Sequence, residues 1–214
     1  MTYPPEPWHL GGSLLVSLFR VPVAALPASS DPLVLRGHAV VGVAFARYEP
    51  GGVLSYDELL VATPTLHRGR PRVTIPQIWV DSPQSLEGGR ALWGIPKEIA
   101  AFGRAGTADA ASVSASTDAG PVASLRSRAG RAVVPGMRQL ALPIVQRDGG
   151  GAIVSHNRVI GRVRSLRTRW SFAAGGPLGY LHGRRPFASV AVTDATIVFG
   201  MDVRRPSTGS GNAP

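Results

Sequence analysis

Apolar and polar residues alternate over short stretches along most of the chain, which is the pattern of half-buried β-strands. Glycine, proline and aspartate residues separate these stretches and indicate turns. Pro76 lies inside one stretch and indicates an edge strand or a bulge, because proline has no N–H to donate to a ladder. The pattern predicts about ten strands, and the clearest cover Ser13–Phe19, Ala39–Ala46, Val53–Thr63, Val73–Val80, Ala111–Thr117, Val122–Ser127, Gln139–Gln146, Val159–Phe172 and Phe187–Phe199.

The strand predicted over Val53–Thr63 carries charged residues on both of its faces. Because side chains alternate along a strand, Tyr56 and Glu58 share one face. Asp57 and Leu59 share the other face. Glu58 is therefore either a functional carboxylate beside an aromatic hydroxyl or an ordinary residue of a strand surface.

One segment predicts an α-helix. Ser82-Pro83 combines a polar cap with a proline in the first turn, and the predicted helix covers Pro83–Trp93 and ends at Gly94. Gly88 and Gly89 lie inside it, where each costs about 1 kcal/mol relative to alanine. Paired glycines at this place indicate close approach by another backbone or by a ligand. With one helix among many strands, the predicted fold class is α+β and β-dominated.

Composition adds limits to this fold. The chain has 214 residues, of which 44% are hydrophobic and 17% are charged, as in a globular domain. We expect a single domain over residues 1–203 and a disordered tail over residues 204–214. The sequence has no apolar run long enough for a membrane-spanning helix, no cysteine, and no histidines at metal-ligand spacing. We therefore expect no metal, no cofactor, no membrane partner and a cytoplasmic location.

The net charge of +10 comes almost entirely from arginine. Of the 23 basic residues, 22 are arginine and one is Lys97. From composition alone, this lysine is either present by chance in a chain biased toward arginine or retained as an amine for its chemistry. Lysine can lose its proton, whereas arginine does not. The densest basic stretch has no aromatic recognition motif, so we expect a solvated or subunit-facing strand and no nucleic-acid partner; it contains Arg162, Arg164, Arg167 and Arg169.

The segment from Gly88 to Lys97 resembles the acetoacetate decarboxylase family, in which a Gly-Arg…Pro-Lys stretch carries a Schiff-base lysine. Gly89, Arg90, Pro96 and Lys97 match it, and weaker matches cover most of Trp8–Phe199, including Asp81, Tyr56-Asp57-Glu58 and Leu140–Pro143. The resemblance implies a mostly antiparallel barrel or cone with few helices. It also implies a Schiff-base-forming carbon–carbon lyase, oligomeric, acting on a small β-keto or 2-oxo acid.

Imine chemistry explains why such a lysine needs a dry pocket. The amine must be unprotonated to attack a ketone, and the protonated imine then accepts the electrons of a carbanion. A free lysine has a pKa near 10.4, and complete burial lowers such a pKa by up to about 3–5 units. The apolar residues near Lys97 in sequence are candidates for the wall of this pocket: Leu92, Trp93, Ile95, Ile99 and Phe102.

The resemblance assigns roles to individual residues. Lys97 is the imine-forming nucleophile, and Glu58 is a general acid or base. Arg90 either holds a substrate carboxylate or anchors the helix to the barrel. The remaining substrate-binding candidates are Tyr56, Trp93, which is either core or pocket wall, and Gln139 on a late strand.

This chain also departs from the family pattern. Glu98 stands where the decarboxylase has a second lysine, and Ala91 stands where it has a glutamate. The family's first-strand arginine and second glutamate align near Gly12 and Val43, so neither group is present. Aldolase, dehydratase or cyclase chemistry on a larger metabolite therefore remains an alternative to decarboxylation, as does non-catalytic binding of a small molecule.

Overall fold

A computed structural model describes residues 3–27, 31–107, 109–148 and 151–206 of the chain. It contains ten strands, one α-helix and two short 3-10 turns. The strands are β1 (Trp8–Pro22), β2 (His38–Glu49), β3 (Tyr56–His67), β4 (Arg70–Val80), β5 (Lys97–Ile99), β6 (Ala101–Gly106), β7 (Ala110–Thr117), β8 (Gly120–Asp148), β9 (Gly151–Phe172) and β10 (Ala188–Arg204), and the helix is α1 (Pro83–Trp93). The 3-10 turns cover Val23–Ala25 and Gly179–Leu181.

The strands form one continuous sheet in the order β5-β4-β3-β2-β1-β10-β9-β8-β7-β6. Neighbouring strands are antiparallel except β4 and β5, which are parallel. A further parallel contact joins β4 to β8 at Val73 and Ile144, so that part of the sheet closes on itself. The predicted fold class, a β-dominated and mostly antiparallel barrel with few helices, is confirmed.

The end of the chain differs from the predicted boundary. Strand β10 continues to Arg204, which we expected to begin the disordered tail. Residues 207–214 of that predicted tail lie outside the described residues.

Two strands predicted separately are one strand in the structure. Val122–Ser127 and Gln139–Gln146 both belong to β8, which pairs with β9 along most of its length. Gly130 and Pro135 stand between the two predicted strands and lie in the two segments where the β8–β9 register shifts. Irregular pairing accommodates such residues without ending a strand.

Pro76 marks a bulge, as its position predicts. Val61 of β3 pairs with Gln77 of β4, whereas Thr63 pairs with Thr74. Two steps along β3 therefore face three along β4, and the side-chain alternation of β4 changes phase at this point.

Strands β2, β3 and β4 are covered on both faces. One face packs into a cluster of buried residues that includes Phe45, Leu59 and Trp79 together with Leu125 of β8. The other face encloses a second cluster that includes Tyr56 and Ile78. The division follows the alternation predicted for β3, and it leaves the Tyr56 and Glu58 face turned to the inside of the barrel.

The basic stretch on β9 lies at the surface. Arg162 forms an ion pair with Asp194 at 3.3 Å and Arg164 forms one with Asp109 at 2.7 Å. No α-helix within the described part of the chain is long and apolar enough to cross a membrane.

Candidate active site

Helix α1 and the turn after it place Lys97 at the start of β5. The hydroxyl of Ser82 accepts a hydrogen bond from Ser85 N and caps the helix, as its sequence predicts. Gly94 ends the helix in the left-handed conformation with φ of 63°, which suits glycine. The chain then enters β5, where Lys97 pairs with Ile78 of β4. The bounds predicted for the helix are confirmed.

Arg90 holds this segment from outside the cavity. Its Nε donates to the backbone carbonyl of Lys97 at 2.8 Å, and the residue is exposed. It does not line the cavity that contains Lys97. Of the two roles predicted for Arg90, the structure therefore shows the anchor, and it does not place the guanidinium where a substrate carboxylate in the cavity would lie.

Gly88 and Gly89 let two large side chains approach the helix. A Cβ atom on Gly88 would lie 2.5 Å from the ring of Trp8, and one on Gly89 would lie 2.6 Å from Cδ of Lys97. The close approach predicted from the paired glycines is present, but it comes from side chains and not from a backbone.

The Lys97 amine is buried and fully hydrogen-bonded. The residue is 3% exposed, and its Nζ lies 3.1 Å from Glu58 Oε2, 2.8 Å from Ser85 Oγ and 3.4 Å from the Tyr56 hydroxyl. Nζ also lies 5.1 Å from the centroid of the Tyr56 ring. The structure thus brings together the predicted nucleophile, the predicted acid or base and the predicted aromatic neighbour.

Two tyrosines hold the carboxylate of Glu58. Tyr48 donates to its Oε1 at 3.1 Å and Tyr56 donates to its Oε2 at 3.3 Å. Burial, followed by the nearby charge of Glu58, raises the pKa of both tyrosines well above 10.0. Both therefore remain protonated donors over the neutral pH range.

The backbone of β3 is fixed beside this pair. Asp81, which matches a family aspartate, accepts a hydrogen bond from the backbone N–H of Asp57 at 2.9 Å. Asp57 also forms an ion pair with Arg104 at 2.9 Å, on the face opposite Glu58. These contacts orient the strand segment that carries the buried carboxylate.

Glu98 points away from Lys97. It is exposed, and its Oε2 accepts a hydrogen bond from the indole N–H of Trp79 at 3.0 Å. Successive residues of a strand face opposite sides, so this carboxylate does not pair with the amine.

Lys97 projects into a cavity of about 130 Å³. Its lining is mostly apolar and comes from eight strands and the helix segment: Trp8, Leu10, Leu14, Tyr48, Tyr56, Glu58, Leu60, Ala62, Val73, Ile75, Ile78, Trp93, Ile95, Lys97, Leu142, Ile144, Asn157, Val159, Ile197 and Phe199. Ile75 and Ile78 both reach it because the bulge at Pro76 separates them. Of the wall residues predicted near Lys97, Trp93 and Ile95 line the cavity, whereas Leu92, Ile99 and Phe102 do not.

Trp93 is both core and cavity wall. It is 2% exposed, and its ring packs edge-on against Trp8 at 4.8 Å and against Phe199 at 4.6 Å between centroids. Its indole N–H has no hydrogen-bond partner among the described residues.

Two positions inferred from the sequence do not lie at the cavity. Gln139 is exposed on β8 and is absent from the lining, which corrects its assignment to the substrate site. Its strand reaches the cavity further along, at Leu142 and Ile144. Val43, aligned with the family's second glutamate, is buried in the opposite cluster. On β2 the side chain that hydrogen-bonds Glu58 is Tyr48.

Four residues of the site were not found from the sequence. Tyr48 and Trp8 come from strands far from Lys97 in the chain, and Ser85, in the first turn of α1, accepts a hydrogen bond from the amine. Asn157 is 3% exposed and lines the cavity from β9. The sequence contains no clear signal for Asn157, because its neighbours on the same strand face are Ser155 and Val159 and those beside it in the chain are charged or polar.

Solved structures with this fold include three enzymes of low sequence identity. An acetoacetate decarboxylase from Legionella pneumophila has a TM-score of 0.66 and 15% identity, over 96% of this chain and 90% of that one. An acetoacetate decarboxylase-like enzyme from Sphingomonas wittichii RW1 has a TM-score of 0.64 and 16% identity, over 95% of this chain and 94% of that one. The enduracididine biosynthesis enzyme MppR has a TM-score of 0.59 and 18% identity, over 95% of this chain and 90% of that one. That structure is complexed with the condensation product of pyruvate and imidazole 4-carboxaldehyde.

The sequence profile of acetoacetate decarboxylase (ADC) matches residues 2–167, and the chain therefore belongs to the acetoacetate decarboxylase family. No curated protein sequence matches it. Within the described ranges, no group of three or more histidine, aspartate or glutamate side chains is arranged to hold a metal ion.

Proposed function

We propose that this protein is a Schiff-base-forming carbon–carbon lyase in which Lys97 is the nucleophile. The observation that carries the proposal is the buried amine within 3.1 Å of a buried carboxylate, at the wall of an apolar cavity. Family membership supports the same chemistry. The family also indicates a small β-keto or 2-oxo acid as the substrate.

The first step needs a proton transfer within the buried pair. Nζ must have a free lone pair to attack a carbonyl carbon, so its proton passes to Glu58. The attack forms a carbinolamine. Glu58 then returns the proton to the carbinolamine oxygen, and water leaves as the C=N bond forms.

The iminium then supports either of two bond cleavages. A β-keto acid loses CO2, and the electron pair of the broken carbon–carbon bond passes to nitrogen as an enamine. A β-hydroxy ketone undergoes retro-aldol cleavage by the same electron flow, with its hydroxyl proton passing to a base. After retro-aldol cleavage, Glu58 holds the proton taken from the β-hydroxyl and gives it to the enamine; after decarboxylation, Glu58 first takes a proton from solvent and then gives it to the enamine. Hydrolysis of the iminium then releases the product and regenerates the amine.

Reductive trapping tests the nucleophile. Incubation with a carbonyl compound and cyanoborohydride should add the mass of the reduced adduct to Lys97, which peptide mass spectrometry would locate. Because the chain has one lysine, the only other primary amine is at the N-terminus. Lys97→Arg keeps the charge and should lose the adduct at this position and all turnover.

Two results would overturn the proposal. One is the absence of a Lys97 adduct across a panel of keto acids, ketones and aldehydes. The other is full turnover by Lys97→Arg on a substrate that the wild-type protein converts. For the substrates that form the adduct, measurement of CO2 release without the reductant would distinguish decarboxylation from aldol chemistry.

A further inference from the structure

Most hydrogen-bond donors on the cavity wall are already paired with acceptors of the protein. The hydroxyls of Tyr48 and Tyr56 both donate to Glu58. The side-chain amide of Asn157 donates to a backbone carbonyl at 3.0 Å and to a serine hydroxyl at 3.2 Å. Trp8 donates to a backbone carbonyl at 2.9 Å. None of these groups is free to bind a substrate carboxylate without breaking a bond of the protein.

One lining donor remains without a partner. The indole N–H of Trp93 is buried, and no described residue accepts its hydrogen bond. It is a neutral, single donor. It suits one carbonyl or hydroxyl oxygen, but carboxylates that remain ionised in protein interiors accept several such bonds or pair with a cation.

The charges of the cavity are already balanced. Among the described lining residues, Lys97 is the one cation and Glu58 is the one anion, and they are paired. An iminium formed on Lys97 carries no more positive charge than the ammonium did. A substrate carboxylate would therefore be a second, unpaired negative charge in an apolar cavity, which is strongly unfavourable.

The rest of the cavity wall favours a ligand with an apolar surface. Apart from the polar groups already named, the cavity is lined by aliphatic and aromatic side chains. Its volume of about 130 Å³ is close to that of an engineered apolar cavity, about 150 Å³, that binds benzene. A compact hydrocarbon body of that size would fill it.

From this arrangement we infer that the substrate is a neutral, apolar ketone or aldehyde and not a keto acid, so that the lyase reaction is an aldol or retro-aldol reaction. The inference rests on the proposed imine chemistry. In the cleavage direction, the bond between the α- and β-carbons breaks and its electrons pass to the iminium, giving an enamine. The β-hydroxyl proton passes to Glu58, an aldehyde leaves, and Glu58 then protonates the enamine before water hydrolyses the iminium.

Competition between two probes tests the inference. 2-Hexanone and 2-oxobutanoate have the same number of non-hydrogen atoms, and only the second carries a carboxylate. With both present at equal concentration and with cyanoborohydride, mass spectrometry would give the ratio of the two Lys97 adducts. The ratio, corrected by that of a free lysine peptide, should favour 2-hexanone by about tenfold or more, because an unpaired buried charge costs at least that much.

A paired set of variants tests the physical cause. Leu14 lines the cavity from β1 and is half-buried, whereas Ser13 precedes it on the other face. Leu14→Arg supplies a cation to the cavity and should shift the corrected ratio toward 2-oxobutanoate by about tenfold. Ser13→Arg adds the same charge outside the cavity and should leave the ratio unchanged.

The outcomes separate this inference from the proposed function. Adducts of both probes with a corrected ratio that favours 2-oxobutanoate, or shows no preference, would overturn the inference and leave the imine chemistry intact. Absence of any adduct at Lys97, with these two probes and across the wider panel of carbonyl compounds, would overturn both. If Leu14→Arg fails to fold, the wild-type ratio alone decides the inference.

Discussion

Replacing Gly89 with alanine should have two opposing effects: it favours helix α1, and it displaces the Lys97 amine. Within a helix this change normally stabilises by about 1 kcal/mol. Here the new Cβ would lie 2.6 Å from Cδ and 2.7 Å from Cε of Lys97. Both distances are about 1 Å shorter than a normal contact between carbon atoms, so the lysine side chain must move.

The burial of Lys97 sets the expected change in the free energy of unfolding and in the rate of imine formation. The side chain is 4% exposed and cannot move into solvent, so its displacement overpacks the site at a cost of about 1–3 kcal/mol. The helix gain offsets part of this cost, and we expect the free energy of unfolding to fall by at most about 2 kcal/mol. A displacement of Nζ on the order of 1 Å should slow imine formation about a hundredfold.

The assay pairs reductive trapping of Lys97 with urea denaturation. Ala91→Gly is the matched control, because Ala91 is exposed on the same helix. It should lower the free energy of unfolding by about 1 kcal/mol and leave the trapping rate unchanged. The reasoning would be refuted if Gly89→Ala gained the full helix stabilisation and trapped carbonyl compounds at the wild-type rate.

Three other predictions follow from the same contacts. Lys97→Met leaves Glu58 buried and unpaired and should cost about 3–5 kcal/mol in urea denaturation; adding Glu58→Gln should restore most of it, and equal losses in both variants would contradict this. The raised pKa values of Tyr48 and Tyr56 keep these groups protonated in the folded state above pH 10.0, where the unfolded chain loses the protons, so stability should fall by about 1.4 kcal/mol per pH unit for each. Tyr56→Phe should remove one such contribution, and an unchanged alkaline slope would count against it. Arg90→Ala should lower kcat with little change in KM, because Arg90 holds the Lys97 backbone from outside the cavity; a rise in KM confined to keto acids would instead indicate substrate contact.

The parts of the site predicted from sequence are those set by short stretches of chain. The cap at Ser82, the left-handed Gly94 and the glycines within the helix each act over one or two turns, so they predict where Lys97 begins its strand. Alternation within β3 predicts that Tyr56 and Glu58 face the same side. The assignment of Glu58 and Lys97 to one site comes from resemblance to a family and not from these local rules.

The parts that the sequence did not predict depend on pairing between distant strands. Tyr48 reaches Glu58 because β2 and β3 pair in a register that sets it opposite Tyr56. A shift of one residue would turn it to the other face, and nothing local to Tyr48 fixes that register. Gln139 pairs regularly with Ile160 and is exposed, because it lies on the face of β8 opposite Leu142 and Ile144. Which face of β8 lines the cavity is set by pairing with distant strands.

The buried pair explains why so much of the barrel is built around one amine. An ion pair in an apolar interior contributes little to stability, because the cost of removing both charges from water offsets their attraction. Here two tyrosine hydroxyls, a serine hydroxyl and an aromatic face satisfy the pair. These contacts offset part of the cost of burying the two charges.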